Sequence, residues 1–544
     1  MRSPRVLLAA LLFVLPVSAG LGGVFGSSVA STQEDIKQQY RIYTGALDAV
    51  QREYVEALPS ERLVYASIDG LLNTLDPHSI SFEPREYAQM RERQQGSYYG
   101  LGVTIASIDG DITIQSIFEG SPAYKRGIRR GDVIARVEGE DMKGWTTDQA
   151  VGRLKGPKGT KVNISIRRRG VDELIDMEVV RDEVNITTVR GAFMIDKETG
   201  YVKLAEFSET SDRELGAALE ALEAKGMKRL VFDLRDNPGG LLDQAILVSN
   251  RFLPKGDLIV YQRGRLPNSN ENYPAGHQGE YTRIPVIVLV NRNSASASEI
   301  VSGALQDHDR ALVVGETTFG KALVQSVYRV SENAGVAVTT ARYYTPSGRL
   351  IQRPWDGSFD EYLMYSLREQ EERKNRSEAD LKYTDAGRKV YGGGGIEPDK
   401  FMAGPVEGFS PTRFGRLLYA RQMFAQFADG YTAEGDTRLA AANRNRKRIA
   451  RGFTVTDAML AEFHKLLETQ KVKIDEAAYQ KDTEFIRAMI HYEIDVALFG
   501  IAEARRNLVL KDPQAQFALQ QFGEAERLAA LSNSTTKPTA KGGQ

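Results

Sequence analysis

The chain has 544 residues, a formal net charge of −1 and 42% hydrophobic residues. This length suits several domains, and this composition is typical of globular protein. The near-neutral charge gives no indication of a nucleic-acid partner, and the lack of cysteine excludes disulfides, thiolate metal sites and a lipid-modified cysteine. We expect no cofactor and no metal, because no ligand spacing such as H-E-x-x-H occurs.

Residues 1–30 predict a targeting segment. Arg2 and Arg5 precede the apolar run 6–17, a pattern typical of a signal peptide. Two interpretations stay open: cleavage at one of two small-x-small sites, or retention as a membrane anchor, since the apolar stretch approaches the roughly 20 residues that a spanning helix needs. Both interpretations place the remaining chain outside the cytoplasm. We expect its location to be the periplasm of a Gram-negative bacterium.

The next two segments differ in periodicity. Residues 31–95 show mainly helical spacing and predict an N-terminal helical region. Residues 96–170 alternate as short strands, including 103–108 and 161–167, with a short helix that ends near 127 and a second helix at 146–154. We therefore expect a small β-rich domain after the helices.

Residues 171–410 alternate between apolar strands and amphipathic helices, which predicts an α/β core. The buried strand 230–234 leads into a loop containing Asn-Pro-Gly-Gly, whose glycines Gly239 and Gly240 allow close approach of a ligand to the backbone. As a bare motif, such a loop is more often only a turn.

The stretch 285–325 organises this core. An apolar strand at 286–290 ends in a turn, a helical pattern starts at Ser296, and a second strand at 311–314 precedes a loop with Lys321. A serine at a helix N-terminus is well placed for acyl transfer, because backbone N–H groups point at a developing oxyanion.

Serine needs a base to become a nucleophile. Five histidines occur, none in a recognisable triad motif: His78, His277, His308, His464 and His491. A neutral lysine serves as base if burial lowers its pKa from roughly 10.4 to about 7–8. Ser–Lys is an established variant of the triad.

Two other interpretations compete for these residues. Ser296-Ala297-Ser298-Glu299 is also a capping box, the commoner role for such a serine. Residues 315–321 read G-x-x-x-x-G-K, as in a P-loop, but Ala322 replaces the magnesium-binding hydroxyl, and the alternating residues that follow predict a strand instead of a helix.

The C-terminal part carries no recognisable chemistry. Residues 361–389 are charged and helix-prone, which indicates a solvated insertion. Residues 411–531 show helical spacing and predict a helical domain for packing, dimerisation or substrate restriction, whereas the polar tail 532–544 is expected to be disordered.

Five motifs of the core together resemble the carboxyl-terminal processing (tail-specific) proteases, peptidase family S41. They are SASASEI around Ser296, TFGK ending at Lys321, Val-Gln ending at Gln325, ARYYTPSGRLIQ and GIEPD. The resemblance implies that Ser296 is the nucleophile, Lys321 its base and Gln325 the residue that orients the lysine. Ala322 stands where the family usually has glycine. The DLRxNPGG match implies an oxyanion hole of Ala297 with Gly239 or Gly240.

Residues 96–170 resemble a PDZ domain through GLGV, SPAxxxG and GDVI. This implies a loop of Leu101, Gly102 and Val103 whose amides hold a C-terminal carboxylate. Lys155 stands where relatives often have an arginine that couples ligand binding to protease activation, so that coupling is not carried over.

The resemblance predicts a multidomain α+β protein: N-terminal helices, a PDZ domain, a crotonase/ClpP-like α/β serine protease core (171–410) and a C-terminal helical domain. It implies a serine endopeptidase that captures the C-terminal tails of proteins and cleaves them, and it implies a homodimer. The alternative is a catalytically inactive PDZ scaffold of the cell envelope.

Overall fold

The computed structural model describes residues 36–168, 171–355, 362–367, 376–404, 411–433 and 449–534. The predicted targeting segment and nearly all of the polar tail lie outside the described residues, although the last helix continues to Ser534. The chain divides into two compact units. One comprises Met1–Glu83 with Val327–Val338, and the other comprises Pro84–Ser326 with Thr339–Gln544.

The smaller unit contains two helices, 36–53 and Ser60–Leu72, as the helical spacing predicts. A short strand, Ile80–Phe82, pairs antiparallel with residues 335–337 and was not predicted. The helices expose large apolar side chains, among them Tyr40 and Leu71. Within the described part of the chain, no helix is both long and apolar enough to cross a membrane.

The β-rich domain of the larger unit is built on one antiparallel sheet. Its strands, in spatial order, are Val103–Ile108, Asp111–Ile117, Val133–Val137, Lys161–Arg167 and Ile175–Val180, with Glu140–Asp141 paired to the third. Three helices accompany it: Pro84–Gln95, Pro122–Lys125 and Thr147–Leu154. Alternate residues of Lys161–Arg167 are buried, which is why this sequence forms a strand with one face on a core. Ser97–Gly100 pairs separately with Asp182–Asn185.

The central sheet of the α/β core has six strands. In spatial order they are Val189–Met194, Thr199–Leu204, Arg229–Asp233, Val286–Val290, Leu312–Gly315 and Lys400–Phe401. All neighbours are parallel except the first pair. Every residue of Val286–Val290 is buried, as expected for a parallel strand covered on both faces.

Helices cover both faces of this sheet. One face packs against Ser211–Glu223, Leu242–Asn250 and Ala297–Asp307. The other face packs against Pro513–Leu519 and Phe522–Ser534, through buried residues such as Phe522 and Leu528. The predicted C-terminal domain 411–531 therefore divides in two, because its last helices complete the core of the α/β domain.

The other C-terminal helices form a core of their own around Phe424 and Phe463, whose rings stack 5.2 Å apart. They are Arg413–Ala420, Met423–Ala433, Asp457–Thr469, Glu476–Lys481 and Thr483–Phe499, followed by Ile501–Val509.

A smaller sheet flanks the core. Leu258–Gly264 pairs with Glu271–Pro274 and with residues 341–344 of the long strand Gly335–Tyr344, which also pairs with Leu323–Arg329. A strand thus follows Lys321, which removes the P-loop interpretation because a P-loop must open a helix.

The helix-prone interpretation of residues 361–389 is wrong for its second half. Leu381–Tyr383 and Lys389–Tyr391 form a β-hairpin instead. Arg388 at the turn pairs with Asp309 and Asp399, and the Asp385 amide donates to the Asp307 carbonyl at 2.9 Å. These contacts with the α/β core outweigh the local helix preference of the charged residues.

Candidate active site

Three loops meet at the carboxyl-terminal edge of the central sheet. The glycine loop (residues 235–241) follows Arg229–Asp233, the serine corner (residues 291–296) follows Val286–Val290, and the lysine loop (residues 316–322) follows Leu312–Gly315. Adjacent parallel strands bring their carboxyl ends together, and this edge is where α/β sheets bind ligands. The topology therefore assembles loops that are distant in sequence.

Ser296 occupies a strained corner. It is the N-cap of Ala297–Asp307 and has φ 54° and ψ −113°. Such a backbone costs about 1–3 kcal/mol for a residue with a side chain and persists only when its surroundings hold it. Here the Ser296 N–H donates to Glu299 at 2.8 Å, and its carbonyl accepts from Glu299 and Ile300 at 2.8 and 3.0 Å. The Ser296 side chain remains half-buried.

The other two serines of the motif are structural. Ser294 is fully buried, and its hydroxyl donates to the Leu234 carbonyl at 2.8 Å. Ser298 is also fully buried and donates to the Asn237 carbonyl at 3.0 Å. The Ser294 hydroxyl thus ties the serine corner to the residue that precedes the glycine loop, and the Ser298 hydroxyl ties the following helix to that loop. Of the three serines, Ser296 alone keeps an accessible side chain.

One backbone amide at the start of this helix is open to a ligand. The amides of Ser298 and Glu299 donate within the first turn, to Ala295 and Ser296. Among the described residues, the Ala297 N–H has no acceptor. It points out of the helix N-terminus, as an oxyanion donor does.

The glycine loop supplies the second open amide. The Gly239 N–H donates to Asn237 Oδ1 at 2.9 Å, whereas the Gly240 N–H makes no hydrogen bond to a described residue. A bridge to Phe207 uses the Gly239 carbonyl and the Leu241 amide and leaves the Gly240 N–H unused. Gly239 has φ 98°, and a Cβ there would lie 2.7 Å from the Ser296 Cβ, so the loop approaches the serine through a position that only glycine fits.

Glu299 joins the serine corner to the lysine loop. Its carboxylate is fully buried and accepts four hydrogen bonds: from the Ser296 and Lys321 amides on Oε2, and from the Gly320 amide and the Thr318 hydroxyl on Oε1. Because one oxygen accepts from both Ser296 and Lys321 at 2.8 and 2.9 Å, their two amide nitrogens lie less than about 6 Å apart. Burial raises the pKa of Glu299 to about 7 against the effect of these donors.

The lysine side chain is oriented from its own strand. Lys321 Nζ donates to Gln325 Oε1 at 2.8 Å, and both residues are half-buried. The hydroxyl of Tyr343, which is almost fully buried, lies against the carbonyl oxygens of Ser296 and Lys321. The structure thus brings together Ser296, Lys321 and Gln325, with Ala297, Gly239 and Gly240 around the serine.

Sequence reasoning missed two residues of this site. Glu299 was interpreted only as a capping residue, and it does reach back to the Ser296 amide, but the same carboxylate also holds the lysine loop. Tyr343 was visible only as part of ARYYTPSGRLIQ. The S-x-x-E spacing was the available signal for Glu299, whereas nothing in the local sequence places Tyr343 near Ser296.

In the predicted carboxylate loop of the β-rich domain, the backbone carbonyls of Leu101 and Gly102 are held by hydrogen bonds. The Leu101 carbonyl accepts from the Ala123 amide at 2.8 Å, and the Gly102 carbonyl accepts from the Phe118 amide at 2.9 Å. Gly102 has φ 80°, and a Cβ there would lie 2.2 Å from that of Ser121. The following strand, Val103–Ile108, is at an edge of its sheet, which suits addition of a peptide strand.

Comparison with known proteins extends these observations. Residues 198–356 match peptidase family S41, residues 89–167 match the PDZ domain, and residues 414–500 match a family of unknown function. A carboxy-terminal-processing protease of Bartonella bacilliformis is 37% identical over 340 residues, which are 62% of this chain and 78% of that protein. The carboxy-terminal processing protease CtpA of Bacillus subtilis is 35% identical over 338 residues, 61% of this chain and 70% of its own.

The solved structure of a photosystem II D1 C-terminal processing protease is 27% identical and covers 66% of this chain and 92% of its own, with a TM-score of 0.35. The fold and the sequence matches define a multidomain α+β peptidase that carries a PDZ domain. The chain belongs to peptidase family S41, which confirms the resemblance inferred from its motifs.

We expect Glu299→Gln to change the pH dependence of stability. Because burial raises the pKa of Glu299 from its ordinary 4.5 to about 7, the folded chain holds this proton more tightly than the unfolded chain does. The contribution of Glu299 to stability is therefore largest below the unfolded pKa and is lost as the pH rises through 7. Glutamine does not titrate, so the free energy of unfolding of the wild type relative to the variant should fall by about 3 kcal/mol between about pH 4 and pH 8. Urea denaturation across this range measures it, and a constant difference would contradict the assignment.

Proposed function

We propose that the protein is a serine endopeptidase that cleaves peptide bonds with a Ser296–Lys321 dyad. The observation that carries the proposal is the shared anchoring of both residues on Glu299 Oε2, which keeps their backbones adjacent. The neutral amine of Lys321 takes the proton of the Ser296 hydroxyl as the hydroxyl oxygen attacks the substrate carbonyl. Gln325 positions that amine through its 2.8 Å hydrogen bond.

The oxyanion of the tetrahedral intermediate is then held by two backbone amides, those of Ala297 and Gly240. Both are free of described acceptors, whereas the Gly239 amide is already committed to Asn237. This favours Gly240 over Gly239 as the second donor, and Gly239 contributes by leaving space beside Ser296. Preorganised amides of this kind typically supply a factor of about 10² to 10³ each in rate.

The substrates are protein or peptide tails that end in a free carboxylate. The PDZ match and the open edge of Val103–Ile108 support capture by strand addition, with the amides of Leu101, Gly102 and Val103 holding the carboxylate. We place the enzyme outside the cytoplasm, because residues 1–30 resemble a targeting segment. The exposed apolar side chains of the N-terminal helices are consistent with pairing to a second copy.

The three serines of the motif provide a matched test of the nucleophile. Ser296→Ala should abolish cleavage of a tail-bearing protein without loss of stability. Ser294→Ala and Ser298→Ala each remove a buried hydrogen bond and should lower the free energy of unfolding by about 1 kcal/mol while activity remains. Cleavage assays and urea denaturation of the same preparations separate the two effects. Retained cleavage in Ser296→Ala, with loss in either neighbour, would mean that the nucleophile is assigned to the wrong serine.

Lys321→Arg tests the base. Arginine keeps the positive charge and much of the side chain's length, but it does not lose its proton in proteins. We therefore expect no measurable cleavage, with folding preserved, whereas wild-type activity should rise with pH as the amine becomes neutral. Rates of a single turnover across a pH series measure this. An active arginine variant would exclude Lys321 as the base, whereas absence of cleavage by the wild type as well would favour the inactive-scaffold interpretation.

A further inference from the structure

A cavity of about 250 Å³ lies between the edge of the central sheet and the helix Ile501–Val509. On the sheet side it is lined by Phe193 and Tyr201, whose rings stack with centroids 4.9 Å apart. Leu508 and Val509 line it from the helix. An engineered apolar cavity of about 150 Å³ holds benzene, so this cavity has room for a ligand of about ten non-hydrogen atoms.

A glycine in the edge strand leaves this space unfilled. Gly191 pairs with Lys203 on the neighbouring strand, and a Cβ built on Gly191 would lie 3.5 Å from the Phe193 ring, which is an ordinary contact. The position therefore accepts a side chain, and glycine inside a strand often marks the close approach of a ligand. Arg506 donates to the Met194 carbonyl at 3.1 Å, which holds the helix against the end of the same strand.

A β-bulge stands beside the glycine. Val189 pairs with Leu204 and Gly191 pairs with Lys203, so Arg190 is an extra residue without a partner on the neighbouring strand. Bulges of this kind re-aim a side chain and are common next to functional sites. The edge strand therefore departs from regular geometry where it borders the cavity.

The polar part of the cavity wall is mainly cationic. Four cationic side chains line it: Arg190, Lys203, Arg235 and Arg505. Arg235 is neutralised, because it pairs with Asp233 at 2.7 Å and with Asp512, which also lines the cavity, at 2.6 Å. The Lys203 amine donates to the Arg235 carbonyl at 3.1 Å and lies 3.8 Å from Asp233.

The other two cations are less well compensated. Arg190 lies 3.8 Å from Glu206, and Arg505 forms no ion pair with any residue that the structure describes. The Arg505 guanidinium instead contacts the Arg190 carbonyl. Four cations thus face three carboxylates in a partly apolar space, where a charge without a counter-ion is costly.

We propose that this cavity binds a small apolar carboxylate, with its carboxylate on Arg505 and Lys203 and its apolar body between Phe193 and the helix. Both cations border the space that Gly191 leaves, because Lys203 is its partner across the sheet and Arg505 holds the carbonyl of the preceding residue. A guanidinium suits a carboxylate, which it binds with two parallel hydrogen bonds.

The wall excludes simpler ligands. An inorganic anion would leave the apolar surface of Leu508 and Val509 uncovered, and an uncharged apolar molecule would leave Arg505 without a counter-ion. A fatty acid and the terminal residue of a peptide share the required chemistry. The site does not depend on the proposed peptidase chemistry, since neither Ser296 nor Lys321 lines it.

Isothermal titration calorimetry of the full-length protein tests the proposal with matched probes. Octanoate fits the cavity in size, octanamide has the same shape without the charge, and acetate has the charge without the apolar body. We expect one octanoate per chain, with a Kd at least about 10-fold lower than for either of the other probes, because each of them loses one kind of contact. N-Acetyl-leucine represents a peptide terminus, and the tighter of the two larger carboxylates identifies the source.

Three variants locate the binding. Gly191→Val fills the cavity and should abolish octanoate binding, whereas Arg505→Gln should raise the Kd about 10-fold. Lys228→Met is the control, because Lys228 is exposed, pairs with Glu198 and does not line the cavity, and it should leave the Kd unchanged. Circular dichroism checks folding, and Arg505→Gln decides alone if Gly191→Val does not fold.

Several outcomes would overturn the inference. One is the absence of saturable binding of both octanoate and N-acetyl-leucine by the wild type. Another is equal binding by the wild type and Arg505→Gln, which would place the ligand elsewhere on the chain. Octanamide as tight as octanoate would exclude recognition of the carboxylate, and acetate as tight as octanoate would exclude a role for the apolar wall.

Discussion

The buried carboxylate of Glu299 is the interaction on which the site depends. Its two oxygens accept from the backbone on both sides: Ser296 from the serine corner, and Gly320 and Lys321 from the lysine loop. Burying a carboxylate is costly, and four donors offset much of that cost because each bond is stronger in a low dielectric. The same bonds hold a strained serine and a lysine in one arrangement, which neither loop could keep alone.

The glycine loop is attached to this arrangement through Asn237, which is fully buried. Its side chain donates to the Leu204 carbonyl and accepts from the Gly239 amide, and its own carbonyl accepts from the Ala295 amide and the Ser298 hydroxyl. The side-chain nitrogen and the backbone carbonyl of this asparagine therefore connect the loop to its neighbours, and the side-chain oxygen braces the loop from within. Because Asn237 takes up the Gly239 amide, the next amide of the loop, that of Gly240, is left without a described acceptor.

The segment that leads into the strand Ser97–Gly100 is connected to the glycine loop by backbone hydrogen bonds. The carbonyl of Gln94, near the end of the helix Pro84–Gln95, accepts from the Glu209 amide at 2.9 Å. Two residues before Glu209, Phe207 donates to the Gly239 carbonyl and accepts from Leu241. The part of the chain that matches a PDZ domain and the glycine loop of the core are thus linked through adjoining backbone segments, although they are far apart in sequence.

The amino-acid sequence by itself determined the strands of the PDZ domain and the strand, corner and helix around Ser296, because hydrophobic period and motif spacing are local properties. Only the tertiary structure decided what depends on distant partners. It gave the Glu299 carboxylate three further hydrogen-bond donors from the lysine loop, placed Tyr343 beside Ser296, turned the charged segment around Arg388 into a hairpin, and moved the last helices onto the central sheet. In each case the deciding contacts join residues that are far apart along the chain, and local patterns carry no record of such contacts.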